Sequence, residues 1–141
     1  MKLEASVEIE RPISEVWGWY AVDQVRNHPR WNPDLELEQI SDGPMGLGTK
    51  IRRRNTMGGT SVDGEMEITE WEPPHAVATS IRDGDVRTRG EALLEERGPA
   101  RTYLMISADM PWLDDPERVR FIQSMMERSV ANMKRMMETE L

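Results

Sequence analysis

"RRRNTMGGTSVDGEME", residues 52–67, opens on three consecutive arginines and closes on acidic residues spaced two apart. Two glycines between alternating runs suit a two-residue hairpin turn, whose type I′ form needs positive φ at both central positions. If Met57 and Thr60 flank a Gly58-Gly59 turn, pairing outward sets Arg54 opposite Asp63, Arg52 opposite Glu65 and Lys50 opposite Glu67. Opposite charges facing across an antiparallel pair each contribute roughly 0.2–1 kcal/mol. The basic run is thereby answered inside one hairpin.

The other face of that hairpin pairs Thr49 with Ile68, Ile51 with Met66, Arg53 with Gly64 and Asn55 with Val62. Side chains alternate along a strand, so Ile51, Val62, Met66 and Ile68 mark this face as the buried one. Arg53 and Asn55 then point inward, and Arg53 faces a residue without a side chain. A charge is rarely buried alone. Either an acidic residue meets Arg53, or a space there holds water or a ligand.

Composition narrows the classes open to this chain. Its 141 residues, 38% hydrophobic, suit one globular domain spanning 1–141 with one core. A net charge of −8 argues against a nucleic-acid surface, which needs a basic footprint. No apolar run reaches the length of a membrane span, and "MKLEASVEIE" has no signal-peptide core, so a cytoplasmic location is expected. Cysteine is absent and His28 and His75 are the only histidines, which leaves no basis for expecting a metal site or a cofactor.

Working outward from the hairpin, "LEASVEIE" alternates as a half-buried first strand. "RPISEVWGWYAV" places Pro12 at a helix start, with Ile13, Val16, Trp17 and Tyr20 at helical spacing. "DQVRNHPRW" reads as a second short helix with Asp23 as N-cap, stopping before Pro29. "DLELEQIS" is a strand whose Ile40 falls out of phase, which a bulge near Glu38-Gln39 explains. A second hairpin turns at Asp83-Gly84, setting Ile81 against Val86, Thr79 against Thr88 and Val77 against Gly90. "ARTYLMISADM" is the last strand, with Leu104, Ile106, Ala108 and Met110 inward.

From Asp114 onward the chain reads as one long amphipathic helix. Val119, Ile122, Met126, Val130, Met133 and Met137 recur every three or four residues as a single stripe. Eleven methionines in so short a chain supply flexible, polarizable side chains that fill irregular space and line adaptable surfaces. The order is an α+β one: a strand, two short helices, six strands, one long helix. A curved antiparallel sheet of about seven strands with one apolar face needs a cover, and this helix is the only element large enough.

The whole chain resembles the START-like (SRPBCC, polyketide cyclase/dehydrase-like) superfamily with its helix-grip fold. "ASVEIERPISEVWGWYAV" resembles the family's opening strand and helix, "NHPRWNP" its tryptophan-bearing segment, "GPMGLGTK" its glycine-rich loop and "EITEWEPPHAV" its proline junction. The chain departs at "GPART", where the family often has "GTr" before the last strand. The resemblance implies a cavity between the sheet and the C-terminal helix that takes apolar or aromatic small molecules, lipid or polyketide-like. It brings no catalytic motif, and fold does not settle function.

In that cavity Arg53 is the sharpest candidate, able to meet a carboxylate, phenolate or enolate oxygen. Its structural alternative is an ion pair with an inward acid such as Glu70 or Asp109. Asn55, Thr79 and Thr88 are candidates to orient a mostly apolar ligand. Trp31, Met66, Met126 and Met133 complete the expected ligand-facing set, although core anchoring is the plainer account of Trp31. Trp17 and Trp71 read as core, and Trp112 as a residue of the cavity mouth or an exposed loop. His75, at a strand start, is a candidate general base, although a solvated histidine is its plainer account, and His28 reads as a surface residue. Binding of an apolar or aromatic molecule is the expected function, by a monomer or homodimer. The alternative is a cyclase, aromatase or dehydratase acting on an enolisable substrate in the same cavity. A protein-docking role for the Met-rich helix is the third, and coverage of that helix by its own sheet argues against it.

Overall fold

Arg53 pairs with Gly64, Ile51 with Met66 and Arg54 with Asp63, the register that the alternation of residues 49–68 requires. The computed structural model describes residues 1–57 and 59–141. Gly59 has φ +83°, as its place in the turn demands, while the positive φ expected at Gly58 lies outside the described residues.

Among the described residues, strands β1 (Lys2–Ile9), β2 (Leu35–Gln39), β3 (Lys50–Met57), β4 (Thr60–Glu72), β5 (Ala76–Asp83), β6 (Val86–Gly98) and β7 (Arg101–Asp109) form one antiparallel sheet. Strand order is β1-β7-β6-β5-β4-β3-β2, a meander closed by β1 against β7. Helices α1 (Ile13–Trp17) and α2 (Gln24–Trp31) flank a π-helical turn at Gly18–Val22, and α3 spans Pro116–Glu140. The expected curved sheet with one long covering helix is the observed architecture. No helix among the described residues is long and apolar enough to cross a membrane.

Several local expectations change. Helix α2 runs through Pro29 to Trp31. Proline removes only one helical donor this close to the end. The turn is held instead by Asn27, whose amide donates to Trp19 O at 2.8 Å, and by His28 against Tyr20 O. Strand β2 pairs without a register shift and ends at Gln39, so Ile40 lies past it and is exposed. The second hairpin turns at Gly84-Asp85, with Asp83 opposite Val86. Gly84 has φ +59° at the first central position, where a type II′ turn places glycine. This slip of two residues keeps every side chain on its expected face but changes its partner.

The outer face of the first hairpin carries its charges as expected at one pair: Arg54 Nε donates to Asp63 Oδ1 at 2.8 Å. Arg52 turns to Glu38 on the neighbouring strand, 3.7 Å away, instead of to Glu65. Val62 is exposed, because the hairpin tip extends beyond the apolar layer.

The core lies between the inner sheet face and α3. Leu3, Ala5, Ile9, Leu104 and Ile106 meet Val130, Met133 and Met137 there, with Val16, Trp17 and Trp19 closing one end. Trp17 meets Trp71 edge-on with ring centroids 5.0 Å apart, a favoured aromatic geometry. At its start, α3 is capped by the Asp115 carboxylate accepting from Glu117 N. At its end, Arg11 donates to the main-chain carbonyls of Glu138 and Leu141, and Arg30 pairs with Glu140. Two cations from elsewhere in the chain thus face the negative end of the helix dipole.

Candidate functional site

Helix α3 divides into two working lengths. Met133 and Met137 are fully buried in the core, whereas Met125, Met126 and Ser129 roof a partly open cavity of about 190 Å³. Its floor is the inner face of three strands: Val77, Thr79 and Ile81 of β5, Gly90 and Ala92 of β6, Ile106 and Ala108 of β7. Its remaining wall comes from α2 and the turn before it, through Tyr20, Gln24, His28 and Trp31. Gly90 sits on the floor because an added Cβ would press on Ile81 Cδ1 at 3.3 Å and project into the space.

Of the residues expected to face a ligand, Trp31, Arg53, Met66, Thr79 and Met126 line this cavity. Three others lie elsewhere. Met133 is one helical turn too far along α3 and packs in the core. Thr88 pairs with Ile81 instead of Thr79, because of the two-residue slip, and its Oγ1 accepts from Trp112 Nε1 at 3.3 Å. Asn55 is half-buried near the hairpin tip, between Leu35 and Val62 on the adjacent strands, beyond the cavity's end.

Arg53 points inward as the alternation demands, but its partner is neither Glu70 nor Asp109. Nε donates to Asp83 Oδ1 at 2.7 Å and Nη2 to Asp83 Oδ2 at 3.1 Å, with the two side chains 13% and 25% exposed. Arg53, Gly64 and Asp83 occupy one row across three strands. The absent side chain at Gly64 is what lets the guanidinium cross β4 to reach the carboxylate. Glu70 pairs with Arg89 instead, and Asp109 is exposed.

His28 is the residue that sequence reasoning misplaced. It is buried, with its ring between Tyr20 and Trp31 at centroid separations of 4.8 and 5.0 Å. Nε2 lies 3.1 Å from Tyr20 O, and since a carbonyl only accepts, Nε2 carries the proton. Burial is the main reason its pKa is pushed down to about 4, with Arg53 adding to the effect and the bond to Tyr20 opposing it. Burial likewise holds the Tyr20 phenol well above its ordinary range. Both groups are therefore neutral near pH 7. A signal for His28 was present: Gln24, Asn27, His28 and Trp31 fall at i, i+3, i+4 and i+7, a helical stripe made of polar residues.

Trp31 carries one further feature. Its Nε1 is buried and has no hydrogen-bond partner among the described residues. Such a donor costs roughly 1–3 kcal/mol when left unmade.

The geometry agrees with what similar proteins are. A START superfamily protein from Mycobacterium smegmatis is 15% identical, with 99% of each chain covered and a TM-score of 0.79. A Deinococcus radiodurans protein is 18% identical over all of both chains, with a TM-score of 0.74. The Zhui aromatase/cyclase from Streptomyces sp. R1128 is 16% identical, covering 99% of this chain and 92% of its own, with a TM-score of 0.72. At these identities the likeness is one of fold. No curated protein matches the sequence. The family described as "Polyketide cyclase / dehydrase and lipid transport" matches residues 1–138, and with the sheet and long helix in that arrangement the chain belongs to this family.

Proposed function

We propose that this protein binds a small aromatic or apolar molecule in the cavity between β5–β7 and α3, without transforming it. The observation that carries this reading is the cavity itself, roofed by α3 and walled mainly by apolar side chains with Trp31 among them. Ligand sites combine such apolar walls with a few placed polar groups. A 190 Å³ space is close to the 150 Å³ of an apolar cavity that holds benzene, so one substituted ring is the expected scale.

Catalysis on an enolisable substrate needs a base near neutral pKa and a free cation to meet developing oxyanion charge. His28, with its pKa near 4, is a weak base, and Arg53 is already held at two nitrogens by Asp83. Binding is the use these groups support.

Titration of ¹⁵N-labelled protein with one- and two-ring compounds tests the proposal. Signals of Trp31, Thr79 and Ser107 should shift saturably while those of Thr88 and Met133 stay. Filling the space with Met126→Trp should abolish the shifts in a protein that remains folded. No saturable shift across the panel would sink the reading.

A further inference from the structure

Three successive main-chain carbonyls end the first helical stretch, and side chains of α2 seal all three. Trp19 O accepts from Asn27 Nδ2 at 2.8 Å, Tyr20 O from His28 Nε2 at 3.1 Å and Ala21 O from Gln24 Nε2 at 2.9 Å. Carbonyls at a helix end lack main-chain partners. Here the π turn closes with Asp23 N on Gly18 O, and α2 restarts with Asn27 N on Asp23 O. Among the described residues, Tyr20, Gln24 and His28 line the cavity, whereas Asn27 is fully buried behind them. Its other polar atom leads away from the cavity. Oδ1 accepts from Arg30 Nη1 at 2.9 Å, and Arg30 holds Glu140 through Nη1 at 3.0 Å and through Nη2. Trp19 Nε1 closes the loop on Glu140 Oε1 at 3.3 Å. Glu140 lies in the last turn of α3, roughly 20 Å along the helix from Met126 of the roof.

We propose that Asn27 is a positioning residue for the cavity, acting on a ligand it does not touch. Through Trp19 O and Arg30 it locks the α2 wall to the end of α3, and so sets the gap between wall and roof that decides which ring sizes fit. The inference rests on the cavity being a ligand site. A buried amide with both ends engaged has one orientation available to it, because its donor and acceptor atoms cannot exchange places. Satisfied networks of this kind hold their members more firmly than the bonds taken singly. The methionine roof can repack around a ligand, whereas this wall is pinned at both of its helical segments. The outer end of the network is open to water, with the Arg30 and Glu140 side chains 35% and 32% exposed, so cutting it there strands no buried charge.

Titration of the full chain with phenol and 2-naphthol, a one-ring and a two-ring probe, tests it by NMR at neutral pH. Arg30→Met leaves Asn27 Oδ1 without its donor and unties the wall from α3. It should shift the ratio of phenol to 2-naphthol affinity about fivefold toward the larger ring, the scale of one lost hydrogen bond. Asn27→Leu should shift it further, and Arg30→Lys, which keeps a donor, should recover part of the change. Arg11→Met is the control, since it also removes a cation from the end of α3 but not from this network, and should keep the parent's ratio. If Asn27→Leu does not fold, the partly exposed Arg30 decides the question by itself. A parent that binds both probes with an Arg30→Met protein of unchanged ratio would overturn the positioning role and leave the cavity reading intact. An equal shift in Arg11→Met would overturn it too, as general loosening of the helix. A parent that binds neither probe would instead remove the cavity reading, and this inference with it.

Discussion

Arg53 and Asp83 clasp each other across an intervening strand, with Gly64 between them in the row. The clasp ties the first hairpin to the turn end of the second along the cavity's edge. It also fixes the electrostatics of the site, since a guanidinium that would otherwise attract anions is answered by a carboxylate.

Arg53→Met should therefore destabilise the fold by leaving Asp83 partly buried and unpaired. Breaking a buried pair costs about 3–5 kcal/mol and an exposed one about 0–1, so this partly exposed clasp should lose about 2 kcal/mol. Urea denaturation measures the loss, and the double variant Arg53→Met with Asp83→Leu should recover most of it. Equal stability of Arg53→Met and the parent would mean that the clasp does not form in solution.

Gly64→Ala should be far worse than an ordinary surface glycine change. A Cβ there would lie 1.6 Å from the Arg82 carbonyl oxygen, which is backbone and cannot step aside. The cost belongs at or above the upper end of the roughly 1–3 kcal/mol typical of overpacking. Gly90→Ala is the informative contrast. Its Cβ would press on the movable Ile81 Cδ1 and meet Thr79 O at an ordinary 4.0 Å, so the fold should survive while ring compounds lose space. Comparable melting temperatures for the two variants would contradict this account.

Acidification should weaken the fold through His28. Its pKa is about 4 in the folded protein and ordinarily 6.5, so the unfolded chain binds more protons between these values. Stability is full above about pH 6.5 and falls as pH drops toward 4, by an amount on the order of 3 kcal/mol. Denaturation midpoints at pH 7.5, 6 and 5 should show the decline, and His28→Gln should flatten it. A parent protein equally stable at pH 7.5 and 5 would place His28 in contact with solvent.

The end of α3 should respond to Arg11. Arg11→Met removes a cation and its hydrogen bonds to the carbonyls of Glu138 and Leu141, an effect of about 1 kcal/mol for a charge at a helix terminus. Arg11→Lys should retain part of it. The parent's advantage in thermal melts should shrink in high salt, because the interaction is partly exposed. A salt-independent difference would assign the role of Arg11 to packing instead.

Much of this protein follows from its sequence alone. Alternation through Ile51, Arg53, Met66 and Ile68, with a glycine pair between, determined the first hairpin, its register and the inward aim of Arg53. The methionine spacing determined which face of α3 meets the sheet, since Met126, Val130, Met133 and Met137 are all buried. These are local periodicities, and a pleated strand or a helix obeys them wherever it lies. Other features waited on contacts between distant segments. Asp83 reaches Arg53 only through the β4–β5 register, which a bulge between Ile68 and Glu70 resets. His28 turns inward on a polar stripe of α2 that hydrophobic spacing does not reveal, held there by Tyr20 and Trp31. Whether a methionine of α3 roofs the cavity or fills the core depends on how far along the sheet it falls. Such pairings are set by the free energy of the assembled layers, where each buried polar group must find its partner among residues far away in the chain.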